Sequence, residues 1–183
     1  MPLLLIPLIA YQMAGRKEKL EQLATEIADE IEAEPFLFPS EWGVGGYFGT
    51  GKVVFAAYKP SMDSNFPTRG DRLFYGTLIT YGLENAHITD LSKEPGESDT
   101  DITPPERQRN IPFFEQELDI LDAELVVALG ERAETELGWM EATDNIETMR
   151  VNHYAWASRW GEEETFITQM KEVYQRAREL EII

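Results

Sequence analysis

The chain has 183 residues, 43% of them hydrophobic, which is one domain of ordinary size with enough apolar material for a core. It has no cysteine, excluding disulfides, iron–sulfur clusters, thiol nucleophiles and Cys-based zinc sites, and its two histidines, His87 and His153, are too few for a histidine-rich centre; no metal or other cofactor is expected. A formal net charge of −18, from 34 acidic against 16 basic residues, opposes docking onto phosphates through bulk electrostatics and resembles surfaces adapted to high salt, where self-repulsion is screened.

Met1 to Met13 is apolar but holds Pro2 and Pro7, has no positive charge before it and is shorter than a membrane span, so it reads as an arm packing on the domain. A cytoplasmic protein without a membrane partner is expected. Leu20, Leu23, Ile27 and Ile31 recur at helical spacing and predict an amphipathic helix over residues 16–34. Residues 35–51, rich in Gly, Pro and aromatics, predict an ordered loop. Residues 1–50 thus form an arm, helix and loop before a core of residues 51–183, in a single domain.

The run Val53 to Tyr58 is apolar without alternation and ends abruptly in Lys59-Pro60-Ser61, which predicts a strand buried on both faces. A polar loop over residues 62–70 follows, and then a helix capped by Asp71, running through Tyr81 and ending at Gly82. The second strand, residues 86–91, carries Asp90 to its carboxyl end. The acidic, proline-containing residues 93–109 read as a long loop. A helix bearing Phe113, Phe114, Leu118 and Leu121 leads to a third strand, residues 125–129, which stops at Gly130. A short helix over 131–137 precedes a fourth strand over 148–152, ending in His153-Tyr154, and a helix with Phe166, Met170, Val173 and Ala177 closes the chain.

Strands alternating with helices at this spacing predict an α/β fold, a three-layer α/β/α sandwich around a short, mainly parallel four-stranded sheet, because parallel neighbours need helical crossovers. Three strand ends should converge, presenting Lys59-Pro60-Ser61, then Asp90 with Ser92 and Lys93, then His153 with Ser158 and Arg159. On such folds ligands bind beyond the carboxyl ends of the strands.

The order of these motifs resembles the uracil-DNA glycosylase superfamily. Ala57-Tyr58-Lys59-Pro60-Ser61 is similar to the family's G-x-x-P type motif after the first strand, and Thr89-Asp90-Leu91-Ser92-Lys93 to its T-N-L-x-K motif after the second. Ala128-Leu129-Gly130 resembles its third, Gly-terminated strand, and His153 to Ser158 its H-P-S-P-L-S loop, of which the first and last residues are kept. The resemblance spans residues 50–161 and implies the three-layer fold, no cofactor, and cleavage of a base–sugar bond after the nucleotide is flipped out of the stack. It implies that His153 stabilises the departing base, that Phe66 stacks on it, that Asp90 and Ser61 help to bind it, and that Ser158, Arg159, Lys93, Arg69 and Trp156 contact the DNA.

Two positions depart from the pattern. The first motif of active members carries an acidic or amide side chain that orients water, where this chain has Tyr58 and Lys59. A fixed cation roughly 5 Å from a cationic sugar, at an effective dielectric near 20, costs about 3 kcal/mol, or roughly a hundredfold in rate. Lys59 can instead turn outward to a phosphate, leaving Tyr58, Ser61 or Asp63 to hold the water. Asp90 stands where the pattern has Asn; ionised it only accepts hydrogen bonds, whereas a carboxyl kept protonated by burial can donate one. Its other reading is a strand-end cap paired with Lys93. Phe66 can equally pack inward, His87 reads as structural, and Trp156 and Trp160 either wedge into a duplex or pack the core.

The leading expectation is a DNA glycosylase-like hydrolase acting on a deaminated or modified base in DNA, as in base excision repair. A non-catalytic module of the same fold that binds a nucleobase or lesion DNA, and an enzyme acting on free nucleosides or nucleotides, are the alternatives.

Overall fold

The computed structural model describes residues 5–60, 65–96 and 100–183, with side chains from Gly15 onward. Ser61 and Asp63 lie outside the described residues. Strands β1 (Val53–Ala57), β2 (His87–Asp90), β3 (Leu125–Leu129) and β4 (Glu147–Val151) form one all-parallel sheet in the order β2-β1-β3-β4. Six α-helices are described: α1 (Leu5–Ile31), α2 (Arg69–Thr80), α3 (Pro104–Leu121), α4 (Glu131–Leu137), α5 (Tyr154–Trp160) and α6 (Glu163–Glu179). None is long and apolar enough to cross a membrane.

The layers follow from the strand pleat. Val53, Phe55 and Ala57 of β1, with Ile88, Val127 and Leu129, face a core built with α2, α5 and α6. Val54, Ala56, Val126 and Ala128 face the opposite core with α1, α3 and α4. Because both faces are covered, β1 and β3 are buried at every position and read as unbroken apolar runs. The expected three-layer α/β/α sandwich is the observed architecture. β4 is an edge strand, with Glu147, Thr148 and Arg150 exposed.

Several element ends differ from expectation, each for a local reason. Helix α1 begins at Leu5, so residues 5–13 of the expected arm are helical; Pro7 falls in the first turn, where a backbone N–H has no helical partner. Helix α2 is capped by Thr68 rather than Asp71: the Thr68 hydroxyl accepts from the Asp71 N–H while the Asp71 carboxylate accepts from the Thr68 N–H at 2.7 Å. The stretch 93–109 is only partly loop. Thr103 and Glu106 form a second capping box, with proline in the first helical turn, so α3 already starts at Pro104. Helix α5 was not foreseen; His153 is its N-cap.

Beneath the end of β2 lies a charge cluster without water access. The Lys93 ammonium is 3.1 Å from Glu117 on α3, both fully buried, and it donates to the Asp90 carbonyl. Burial works to raise the Glu117 pKa, but Lys93 and His87, whose Nε2 is 3.6 Å away, more than offset it and hold the group below its ordinary value. Removing one member of such a pair leaves an uncompensated buried charge. Lys93→Met is therefore expected to cost about 3–5 kcal/mol in chemical denaturation, and Lys93→Met/Glu117→Leu to recover most of that loss. A double variant as unstable as the single would show that the pair is not the source of the effect.

Candidate functional site

The strand order determines where a crevice opens. The chain leaves β1 toward α2 on one face and leaves β3 toward α4 on the other, so the two connections diverge beyond the carboxyl ends of neighbouring strands. A cleft of about 620 Å³ occupies this position, lined by Tyr58 and Lys59 after β1, Gly130, Glu131 and Arg132 after β3, and Arg150, Asn152, His153 and Trp156 from β4 and α5. Of the expected site residues it brings together Tyr58, Lys59, His153 and Trp156.

His153 is placed by its own helix. Its Nδ1 accepts the Ala155 N–H at 3.2 Å, and its ring stacks on Tyr154 with centroids 4.5 Å apart. With Nδ1 engaged as an acceptor, the proton of the neutral ring sits on Nε2, the nitrogen left for the cleft. Burial lowers the pKa of His153 to about 4, against a weaker opposing pull from Asp71, so the ring is neutral at physiological pH. Gly130 permits the approach of the third strand's turn: its φ is +94°, and a Cβ there would lie 3.3 Å from the His153 Cβ.

Lys59 does not turn outward, the alternative weighed for it, but is buried against an acid. Its ammonium is 3.0 Å from Glu106 on α3, with both side chains under a tenth exposed, and Glu106 also accepts from the Ser92 hydroxyl at 2.5 Å. The charge of Lys59 is matched by a partner that the α3 capping box holds in place. The Tyr58 hydroxyl accepts the Ile102 N–H at 2.8 Å, and the Arg132 guanidinium lies 4.3 Å over its ring.

Asp90, Ser92 and Lys93 do not join the cleft. All three are buried: Glu106, Asn110 and Glu117 of α3 close over Ser92 and Lys93, the segment whose Phe36 N–H donates to the Lys93 carbonyl covers them further, and Asp90 faces the opposite layer. Lys93 therefore presents no charge to a phosphate. The register sets Asp90 beside Ala57, on the face of α2 and α5, and its Oδ2 has no hydrogen-bond partner. Burial raises its pKa to about 8, Glu117 adds to this and Lys93 opposes it, so the carboxyl is largely protonated at neutral pH. Tyr154 connects this end to the cleft: burial first, then Asp71 and Asp90, hold its hydroxyl proton firmly.

Phe66 stacks on Trp42 with centroids 5.7 Å apart and tilts against Tyr75. Arg69 is exposed and paired with Glu163 at 2.6 Å; Arg159 is exposed, and Ser158 is buried in α5. Trp156 and Trp160 do not fill the core as one reading had it, being 47% and 66% exposed. Glu131, Arg132, Arg150 and Asn152 were missed in the sequence. The rule that singled out the other strand ends, applied to the turn Gly130-Glu131-Arg132, would have found two of them. Among the described residues no group of three or more His, Asp or Glu could hold a metal ion. Comparison of the chain with models of known protein families and with curated proteins finds no match in either.

The two shifted groups act oppositely on stability. Asp90 keeps its proton in the folded chain up to about pH 8 but loses it near pH 4 when unfolded, so its contribution to stability falls as pH rises from 4 to 8. Folded His153 resists protonation until about pH 4, whereas the unfolded ring protonates below about 6.5, so its contribution falls as pH drops from 6.5 to 4. The two offset one another between pH 4 and 6.5, and Asp90 alone acts above. Urea denaturation of Asp90→Asn should show a stability advantage over the wild type that grows from pH 5 to 8, by up to about 1.4 kcal/mol per pH unit. Parallel curves would refute the burial of a protonated Asp90.

Proposed function

We propose that the chain hydrolyses the N-glycosidic bond of a deaminated or modified base in DNA, as a DNA glycosylase-like enzyme of base excision repair. The observation that carries this reading is the neutral His153, held by a backbone N–H at Nδ1 and offering Nε2–H to a cleft at the divergence of β1 and β3. When the base–sugar bond breaks, its electron pair moves onto the base and negative charge collects on a ring carbonyl oxygen. A pre-oriented N–H aimed at that oxygen strengthens as the charge develops, so it favours the transition state over the bound substrate. Trp156, half exposed at the cleft wall, offers a face for an extruded heterocycle, where stacking contributes on the order of 1–3 kcal/mol. Pairing of Lys59 with Glu106 removes the electrostatic objection to a cationic sugar nearby.

A second reading, an enzyme on free nucleosides or nucleotides, is favoured by the net charge of −18, the burial of Lys93 and the pairing of Arg69, which leave little basic surface for a DNA track.

Oligonucleotides with single uracil, hypoxanthine or other altered bases, and the matching nucleosides, assayed in molar salt, separate the readings. Release of base from DNA with His153→Ala slowed about 10²–10³-fold in kcat is the expected outcome. Because the donor is neutral, wild-type kcat should not decline between pH 5 and 7.5 through titration of His153, as it would were an imidazolium required. Turnover of nucleosides alone favours the second reading; binding without turnover makes the chain a non-catalytic module, and neither binding nor turnover ends the proposal.

A further inference from the structure

Glycosidic hydrolysis needs a group to take a proton from the attacking water, and the described residues of the turn after β1 offer no carboxylate for it: Lys59 is paired with Glu106, and the Tyr58 hydroxyl, a weak base, already accepts the Ile102 N–H. The other cations of the cleft are engaged as well, Arg132 with Asp101 at 2.6 Å and Arg150 with Glu134 at 2.9 Å. Among the described residues, those left in the cleft with uncommitted polar atoms include the Glu131 carboxylate, the Asn152 side-chain amide, the Trp156 indole N–H and His153 Nε2, of which Glu131 alone is a carboxylate. Glu131 is exposed, and no hydrogen bond or ion pair involves its side chain among the described residues.

We propose that Glu131 orients and deprotonates the water that attacks the sugar, supplying from the turn after β3 a carboxylate that the described residues after β1 lack. This rests on the glycosidic reading of the cleft. Glu131 follows Gly130, whose N–H donates to the Val151 carbonyl at 2.9 Å and where a Cβ would lie 3.3 Å from the His153 Cβ, so the carboxylate and the imidazole rise from adjoining turns of paired strands. In the reaction the water oxygen bonds to the anomeric carbon as its proton passes to Glu131. The carbon–nitrogen bond breaks with its electron pair leaving on the base, His153 Nε2–H supports the charge, and the proton on Glu131 then neutralises the released base. The same carboxylate faces the positive charge that builds on the sugar, an attraction no other uncommitted group of the cleft can provide.

The test uses the full chain and a substrate that the wild type turns over. Glu131→Gln, on the surface and nearly isosteric, should lower kcat about 100-fold with KM changed less than about threefold, and Glu131→Asp should keep part of the rate. By calorimetry, Glu131→Gln should bind a cationic iminosugar nucleoside analogue about tenfold more weakly and the neutral nucleoside as the wild type does. An active wild type with kcat unchanged in Glu131→Gln overturns the role of Glu131 and leaves glycosidic hydrolysis standing. A loss of analogue and nucleoside binding together assigns Glu131 to general binding and overturns the proposal too. A wild type that frees no base from any substrate removes both.

Discussion

The ion pair between Lys59 and Glu106 is the constraint on which the site depends. It ties the end of β1 to the first turn of α3 and matches the charge of the one lysine that lines the cleft. Burying such a pair is costly unless the remaining acceptor positions are filled. Here the Ser92 hydroxyl and the Thr103 N–H both donate to Glu106. The segment between β2 and α3 is held at several further points, by Arg109 on Glu94 at 3.0 Å, by Asn110 on Glu94 at 2.8 Å and by Ile102 on Tyr58 at 2.8 Å. The described residues of this connection are thereby fastened behind Tyr58 and Lys59, which line the cleft opposite the β4–α5 turn.

The same constraint sets the electrostatic character of the cleft. Lys59 and Arg150 are matched by acids, as is Arg132, so the opening does not act as a strong anion trap despite its cations. His153 adds no charge, because desolvation opposes protonation more strongly than distant Asp71 favours it. Selectivity in such a cleft depends on hydrogen-bond direction and ring stacking more than on net charge. That suits a planar heterocycle with carbonyl acceptors, and it accounts for an exposed tryptophan at the wall where a core position would have served packing alone.

Much of the fold was legible because its physics is local and repetitive. The unbroken apolar runs of β1 and β3 exist because both faces of the sheet are covered, and the 3.6-residue recurrence of Leu20, Leu23 and Ile27 marks a helix that buries one stripe. The start of α3 was hidden because its capping box lies in an acidic, proline-containing stretch whose composition signals loop, and α5 because seven residues give too little periodicity. Of the residues singled out beforehand, His153 from its position at a strand end and Tyr58 from the motif after β1 both line the cleft. The sequence could not tell that α3 would enclose Lys93 while the layer of α2 and α5 enclosed Asp90, since nothing in those residues reports which neighbour lies above them. Glu131 escaped notice for the converse reason: as the first residue of a helix it already has a sufficient explanation in favourable placement at the positive end of the helix dipole.

The surface charge bears on how a polyanion could approach at all. With 34 acids on 183 residues, repulsion reaches across the Debye length, about 8 Å at physiological ionic strength but about 3 Å in molar salt. In dilute buffer a DNA strand would meet this field before reaching the cleft, and association would be slow however well the site fits the base. In concentrated salt the field collapses to contact range, which leaves the hydrophobic and stacking terms, and these do not weaken with ionic strength as phosphate contacts do. An exposed tryptophan pair on α5, with few unpaired cations around it, is the kind of recognition surface that remains effective there. The acidity that opposes nucleic-acid binding at low salt is therefore compatible with it at high salt, provided the affinity comes from the ring faces and not from the phosphates.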